Sequence, residues 1–201
     1  MSLALFYHPL ASFCHKVQIA LYEAGTPFNA QVVDLMDPGE HARFLDVWPI
    51  GNVPVLHDSQ RDETVPESSI IIEYLDRHYP SMAPMLPSDP DTRLNARLWD
   101  RFFDLYVQAP MQRIVFDTFR PEDEKDPRGV ADAEQRLSVA YEMIEKHLNG
   151  KTWVVGESFS IADCAAAPAL FFGGITVPFS FNQTALRDYF DRLLERRSFR
   201  R

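Results

Sequence analysis

The segment PSMAPMLPSDPDT, residues 80–92, holds four prolines and no hydrophobic periodicity. Proline fixes φ and removes a backbone donor, so this stretch continues neither a helix nor a central strand. It reads as an interdomain linker, because the patterns on its two sides differ in kind. Domains are expected over 1–80 and 91–201, with 81–90 as the linker.

Before the linker, strand and helix signals alternate. Ala4–Tyr7 reads as a strand, and the apolar positions 13, 17, 20, 21 and 24 follow helical spacing up to Gly25. Asn29–Val33 is a second strand and Gly39–Val47 a short helix. Val53–His57 and Thr64–Val65 read as short strands, and Ser68–His78 as a helix closed by Tyr79-Pro80. A strand–helix–strand start implies a parallel pair joined by a crossover. After the linker every signal is helical. Leu94 to Ala109 is amphipathic, with Pro110 expected to kink a continuation over Met111–Phe119. Further helices are read at Val130–Leu148, Ser160–Phe172 and Thr184–Arg196.

Composition excludes several classes of function. Of 201 residues 46% are hydrophobic and 24% charged, as in an ordinary globular chain. The net charge of −9 argues against nucleic acid or an anionic membrane as partner. The longest basic cluster, Arg196, Arg197, Arg200 and Arg201, reads as a solvated helix end or tail. No apolar run is long enough to span a membrane, and no secretory leader is legible. Cys14 and Cys164 are the only cysteines and lack metal-ligand spacing, so neither a disulfide framework nor a metal is expected. The reducing cytoplasm is the expected compartment.

Four stretches carry chemistry. Val53-Pro54 opens a strand; a cis bond there would leave the Val53 backbone free to pair with an extended peptide, and a trans bond would make it an ordinary strand start. Glu67 and Ser68 begin a helix, where unpaired N–H groups attract an anion and the glutamate a cation. An α-amino acid end satisfies both, although a plain serine cap has the same pattern. Ser160 and Asp163 form a capping box, a structural signal. Ser12 and Cys14 open the first helix as cap and buried thiol, or as the reactive centre.

Taken together, SFCHKVQIAL after the first strand, GEH at 39–41, PIGNVPVL at 49–56, ESSIIIEYL at 67–75 and FSIADCAAAPAL at 159–170 resemble the cytosolic glutathione transferases. The class is left unassigned, with some theta- and zeta-like features. The resemblance spans nearly the whole chain. It implies an α/β thioredoxin-like N-terminal domain, an all-α helical bundle after it, and a homodimer. Glutathione is then a co-substrate, joined to a small hydrophobic electrophile. Glu67 and Ser68 match the residues that hold the γ-glutamyl end, and Val53 the residue whose backbone pairs with the cysteinyl unit. Pro54 matches the family's cis-proline, and His41 a contact to the glycyl carboxylate. Tyr106, Met111 and Phe116 are candidates to line the electrophile pocket.

The resemblance also frames the choice at the first helix. A free thiol with pKa near ~8.5 is only ~3% ionised at pH 7. Lowering that value by ~2 units needs ~2.7 kcal/mol, which one hydrogen bond to the anion and a helix N-terminus together supply. Ser12 is such a donor, with Cys14 second and a backbone N–H near Phe13 a further alternative. Tyr7 is a weaker candidate. Many relatives carry serine or cysteine at the position of Ala11, so this sequence departs from the pattern there. With one cysteine in Ala11-Ser12-Phe13-Cys14, a dithiol reductase is disfavoured. A glutathione-dependent isomerase or dehalogenase, or a non-catalytic binding module on this scaffold, are the competing readings.

Overall fold

The computed structural model describes residues 2–200; Met1 and Arg201, the last member of the basic cluster, lie outside the described residues. The chain forms two compact units, one ending at Leu86 and one beginning at Pro87.

The first unit carries β1 (Leu3–Tyr7), α1 (Ser12–Ala24), β2 (Asn29–Val32), α2 (Pro38–Val47), β3 (Val55–Asp58), β4 (Glu63–Pro66) and α3 (Ser68–His78). The strands lie in the order β2-β1-β3-β4. β1 and β2 are parallel, whereas β3 and β4 join as antiparallel strands. This is the thioredoxin-like arrangement that the resemblance implies. Alternation along β1 sends its residues to two cores. Leu3 and Leu5 pack with Val17 and Leu21 of α1 and Ile71 and Leu75 of α3. Phe6 packs on the other face with Phe44 of α2 and Val55. β3 begins two residues later than the apolar pattern suggests, because Pro54 has no N–H for the ladder.

The proline-rich stretch is anchored rather than free. Met85 and Leu86 are buried, and their N–H groups donate to the two Asp76 carboxylate oxygens at 3.0 and 2.7 Å. Burial of two large apolar side chains outweighs the absence of periodicity.

The second unit is helical: α4 (Pro90–Phe102), a π-helical segment (Phe103–Gln108), α5 (Ala109–Thr118), a 3-10 turn (Glu122–Glu124), α6 (Pro127–Leu148), α7 (Ile161–Thr176) and α8 (Thr184–Glu195). Where a kink is expected at Pro110, the preceding residues widen into π turns. A proline ring conflicts with the carbonyl four residues earlier, and a π turn takes up that conflict. α7 is apolar on nearly all sides and is correspondingly buried along its length. It outlasts its sequence boundary by a turn, because Gly173 and Gly174 are accommodated as helix. Its start is fixed by the capping box of Ser160 and Asp163. Among the described residues, no helix is long and apolar enough to cross a membrane.

Candidate functional site

The sheet register brings the candidates of the first unit to one edge. Tyr7, the last residue of β1, lies opposite Val32, the last of β2. Phe6 lies opposite Val55, the first of β3, and Val55 opposite Pro66, the last of β4. The turn leading to Ser12, the loop to α2, the Val53-Pro54 pair and the Glu67-Ser68 pair therefore leave the sheet at the same end. One strand neighbour is parallel and the other antiparallel there, the kind of switch point where open sheets bind ligands.

Ser12 is the first residue of α1, one position after the N-cap, which is Ala11. The methyl of Ala11 cannot cap, so the serine is not the helix cap that its position suggested. Ser12 is 5% exposed, and its Oγ has no hydrogen-bond partner among the described residues. A buried hydroxyl without a partner forfeits about 1–3 kcal/mol.

Cys14 is the third helical residue, and it is fully buried. The His8 N–H donates to its Sγ at 3.5 Å. Burial pushes the thiol up to about 12, against the smaller opposing effect of that N–H. Cys14 is thus a neutral packing residue at physiological pH, which fits the buried-thiol reading of it and not the reading as the reactive centre. Two histidines brace the turn between them: His8 Nδ1 accepts from the Leu10 N–H at 3.2 Å, and the His15 ring lies 2.6 Å from the Pro9 carbonyl. Tyr7 is half-buried against the core shared by α1 and α3.

The Val53–Pro54 peptide bond is cis. Just before it, Gly51 has φ 77°, a conformation that other residues adopt only at a cost. A Cβ at Gly51 would stand 3.0 Å from His41 Nε2, so the histidine ring lies directly against this loop. The structure accordingly joins His41 of α2 to the Val53-Pro54 loop.

Glu67 is the N-cap of α3 and has φ 69° and ψ 117°, without a side-chain capping bond. A non-glycine residue in that region costs of order 1–3 kcal/mol, and such outliers concentrate at functional sites. Its side chain is exposed, while Ser68, the first residue of the helix, is buried. One position on, Ser69 Oγ accepts from Lys16 Nζ of α1 at 2.9 Å. Lys16 is 1% exposed and was missed in the sequence, where it reads as one polar residue in an amphipathic helix. The available signal was its place one helical turn after Ser12.

β3 and α3 are locked beneath this edge by Asp58. Its Oδ2 accepts the hydroxyls of Tyr74 at 2.7 Å and Tyr79 at 2.6 Å. Burial works to raise this carboxyl. The two hydroxyls and the N–H groups of Gln60 and Arg61 outweigh it and hold the group below the usual carboxylate range.

The three pocket candidates of the second unit do not share one groove. Tyr106, exposed, lines a groove of about 700 Å³ with Phe102, Val139 and Met143. Met111 is buried and Phe116 exposed, and neither lines that groove. Among the described residues, no group of three or more His, Cys, Asp or Glu is placed to hold a metal ion.

Residues 11–78 match the glutathione S-transferase N-terminal domain, and residues 107–197 the glutathione S-transferase C-terminal domain. The chain is 31% identical to a stringent starvation protein A homolog from Pasteurella multocida (strain Pm70), over 98% of this chain and 88% of that protein. It is 32% identical to a glutathione S-transferase of Arabidopsis thaliana, over 76% of this chain and 64% of that protein. Among solved structures it resembles a glutathione S-transferase from Methylobacillus flagellatus KT with GSH bound. That match has TM-score 0.90 and 25% identity, covering 99% of this chain and 98% of the other. Both halves of the sequence and the whole of the fold agree: the chain belongs to the glutathione S-transferase family.

Proposed function

We propose that this protein is a glutathione transferase that adds the thiolate of glutathione to a hydrophobic electrophile. The observation that carries the reading is the Ser12 hydroxyl, buried at the first position of α1 without a hydrogen-bond partner among the described residues. A thiolate docked at this sheet edge gives that hydroxyl an acceptor, and the helix N-terminus adds to the attraction. The hydroxyl donates and stays protonated; the thiol loses its proton to solvent.

The other candidates take the roles the family pattern assigns them. Glu67 pairs with the γ-glutamyl ammonium, and the start of α3 at Ser68 receives the adjacent carboxylate. The Val53 main chain pairs with the cysteinyl unit beside Pro54, and His41 reaches the glycyl carboxylate. The strained Glu67 backbone supports this placement. Tyr106, Met111 and Phe116 remain candidates for electrophile contacts. A cytoplasmic homodimer is in keeping with the family and with two buried cysteines that form no disulfide among the described residues.

The test is an ultraviolet titration of protein-bound glutathione against S-methylglutathione, with a panel of electrophiles. The parent should show a thiolate at neutral pH, and Ser12→Ala should raise the bound thiol pKa by at least ~1 unit, equivalent to ~1.4 kcal/mol. An unmoved pKa would transfer the donor role to a backbone N–H near Phe13.

One observation favours a second reading, a module that binds glutathione without turnover. A relative that covers 98% of the chain is named a stringent starvation protein homolog rather than a transferase, and Ala11 occupies a position at which family members often carry a hydroxyl or thiol. A parent that binds glutathione yet forms no thiolate at any accessible pH supports that alternative.

A further inference from the structure

We propose that His8 is a further catalytic residue: its Nε2–H donates to the electrophile, which belongs to the class whose oxygen gains negative charge as the glutathione thiolate adds. The inference rests on the glutathione reading above. His8 directly follows β1 and opens a turn, closed by the Ala11 N–H donating to the His8 carbonyl at 3.0 Å. Pro9, the second residue of that turn, has its φ fixed by its ring. The His8 N–H donates to Cys14 Sγ at 3.5 Å, and the Leu10 N–H donates to His8 Nδ1 at 3.2 Å. His8 is therefore bonded directly to Ala11 and Cys14, the residues that bracket Ser12 at the start of α1.

The turn needs only an acceptor for the Leu10 N–H, and an asparagine or aspartate side chain supplies one to the residue two places on. An imidazole brings a second nitrogen. Because Nδ1 accepts, the ring carries its proton on Nε2. The main-chain N–H, the carbonyl and Nδ1 are all engaged. Among the described residues, Nε2 is the hydrogen-bonding atom of His8 left without a partner. The residue is half-buried, so a ligand can reach the ring while its other bonds hold it still. A donor fixed in advance where charge develops stabilises a transition state without reorganising. With an α,β-unsaturated ketone the sulfur lone pair forms the S–C bond at the β-carbon. The alkene π pair moves toward the carbonyl, whose oxygen becomes an enolate. Nε2–H donates to that oxygen and keeps its proton. Solvent then protonates the α-carbon, returning the proton the thiol gave up.

The experiment compares His8→Asn with the parent, by steady-state kinetics on two electrophiles and by ultraviolet titration of bound glutathione. Benzylideneacetone builds charge on oxygen, whereas benzyl chloride releases it as chloride. Asparagine keeps an acceptor for the Leu10 N–H, and its shorter amide does not reach the place of Nε2. His8→Asn should lower kcat for benzylideneacetone by about 10- to 100-fold, less than the loss of an enclosed oxyanion donor. Its kcat for benzyl chloride and the pKa of the bound thiol should stay near those of the parent. An equal loss on both electrophiles would make His8 only a brace for the turn, and that result overturns the proposal. A raised thiol pKa in His8→Asn overturns it too, since the donor would then serve the sulfur. Parent-like kcat on the ketone overturns it as well. If His8→Asn does not fold, the parent decides alone. Its acceleration over free glutathione, at equal thiolate concentration, should be greater for the ketone than for the chloride, and an equal or smaller one overturns the proposal. A parent that binds glutathione without ionising it removes the transferase reading, and this proposal with it.

Discussion

Tyr79 donates its hydroxyl to Asp58 Oδ2 at 2.6 Å, tying the end of α3 to the end of β3. Tyr74 donates to the same oxygen at 2.7 Å, so one carboxylate fastens strand to helix below the edge that carries Glu67 and Ser68. Because hydroxyl and backbone donors favour the charged form, the folded carboxyl titrates below its unfolded value.

The first prediction follows from that sign. A depressed carboxyl contributes stability that is present above its unfolded pKa of ~3.9 and is lost as pH falls through the folded value. Thermal melts of the parent should therefore lose stability on acidification between pH ~5 and ~2 more steeply than melts of Asp58→Asn. The variant should be the less stable protein at neutral pH, and the gap should narrow in acid. Parallel curves for the two proteins would show that Asp58 is not the titrating lock.

A second prediction concerns Cys14. With its thiol pushed up to about 12 and no exposed surface, it should not react with iodoacetamide in the folded protein at mildly alkaline pH. Mass spectrometry should find it alkylated only after denaturation. Cys14→Ala should leave the pKa of bound glutathione unchanged, while a cavity costs stability of order 1–2 kcal/mol. Rapid alkylation of the native protein at Cys14 would contradict the assignment.

The third prediction lies in the second unit. Asp163 is fully buried and accepts from the Val154 N–H at 3.1 Å, the Tyr189 hydroxyl at 2.7 Å, and the Ser160 N–H and hydroxyl at 2.9 and 3.1 Å. Asp163→Ala orphans these donors together, and each unsatisfied buried group costs about 1–3 kcal/mol. The variant should lose at least about 3 kcal/mol in chemical denaturation or fail to accumulate. Tyr189→Phe, which removes one donor and keeps the ring, should lose about 1–2 kcal/mol.

How much of this was legible in the sequence depends on range. Ser160 and Asp163 are three residues apart, and a local pattern was enough to place the start of α7. The helix start at Glu67 and Ser68 was legible for the same reason, whereas the cis form of the Val53–Pro54 bond followed from the family resemblance and not from the local residues. Lys16 and Ser69 were not legible, since their bond joins positions 53 apart. The burial of Met85 and Leu86 was hidden likewise, because the Asp76 carboxylate that receives their N–H groups lies outside the proline-rich stretch. Pro110 announced a helix irregularity without saying which kind, and the π turns before it are set by packing along the whole helix. The φ of Glu67 is invisible in composition altogether, because glutamate carries no preference for that region.

That conformation leads to the last prediction. At φ 69° and ψ 117° Glu67 occupies a region that suits glycine and penalises any side chain. Glu67→Gly and Glu67→Ala both delete the carboxylate, so both should lose glutathione affinity by ~1.5–3 kcal/mol if Glu67 pairs with the γ-glutamyl ammonium. Their stabilities should differ. Alanine keeps the penalty and glycine removes it, so the glycine variant should be the more stable of the two by about 1 kcal/mol after its larger unfolded-state entropy is counted. Calorimetry with glutathione and chemical denaturation without it separate the two effects. Loss of affinity with the glycine variant the more stable would mean that the strain is held in place for the ligand. Equal stability would mean that the surrounding helix start, and not the side chain, sets this backbone, and unchanged affinity in both variants would move the γ-glutamyl end away from Glu67.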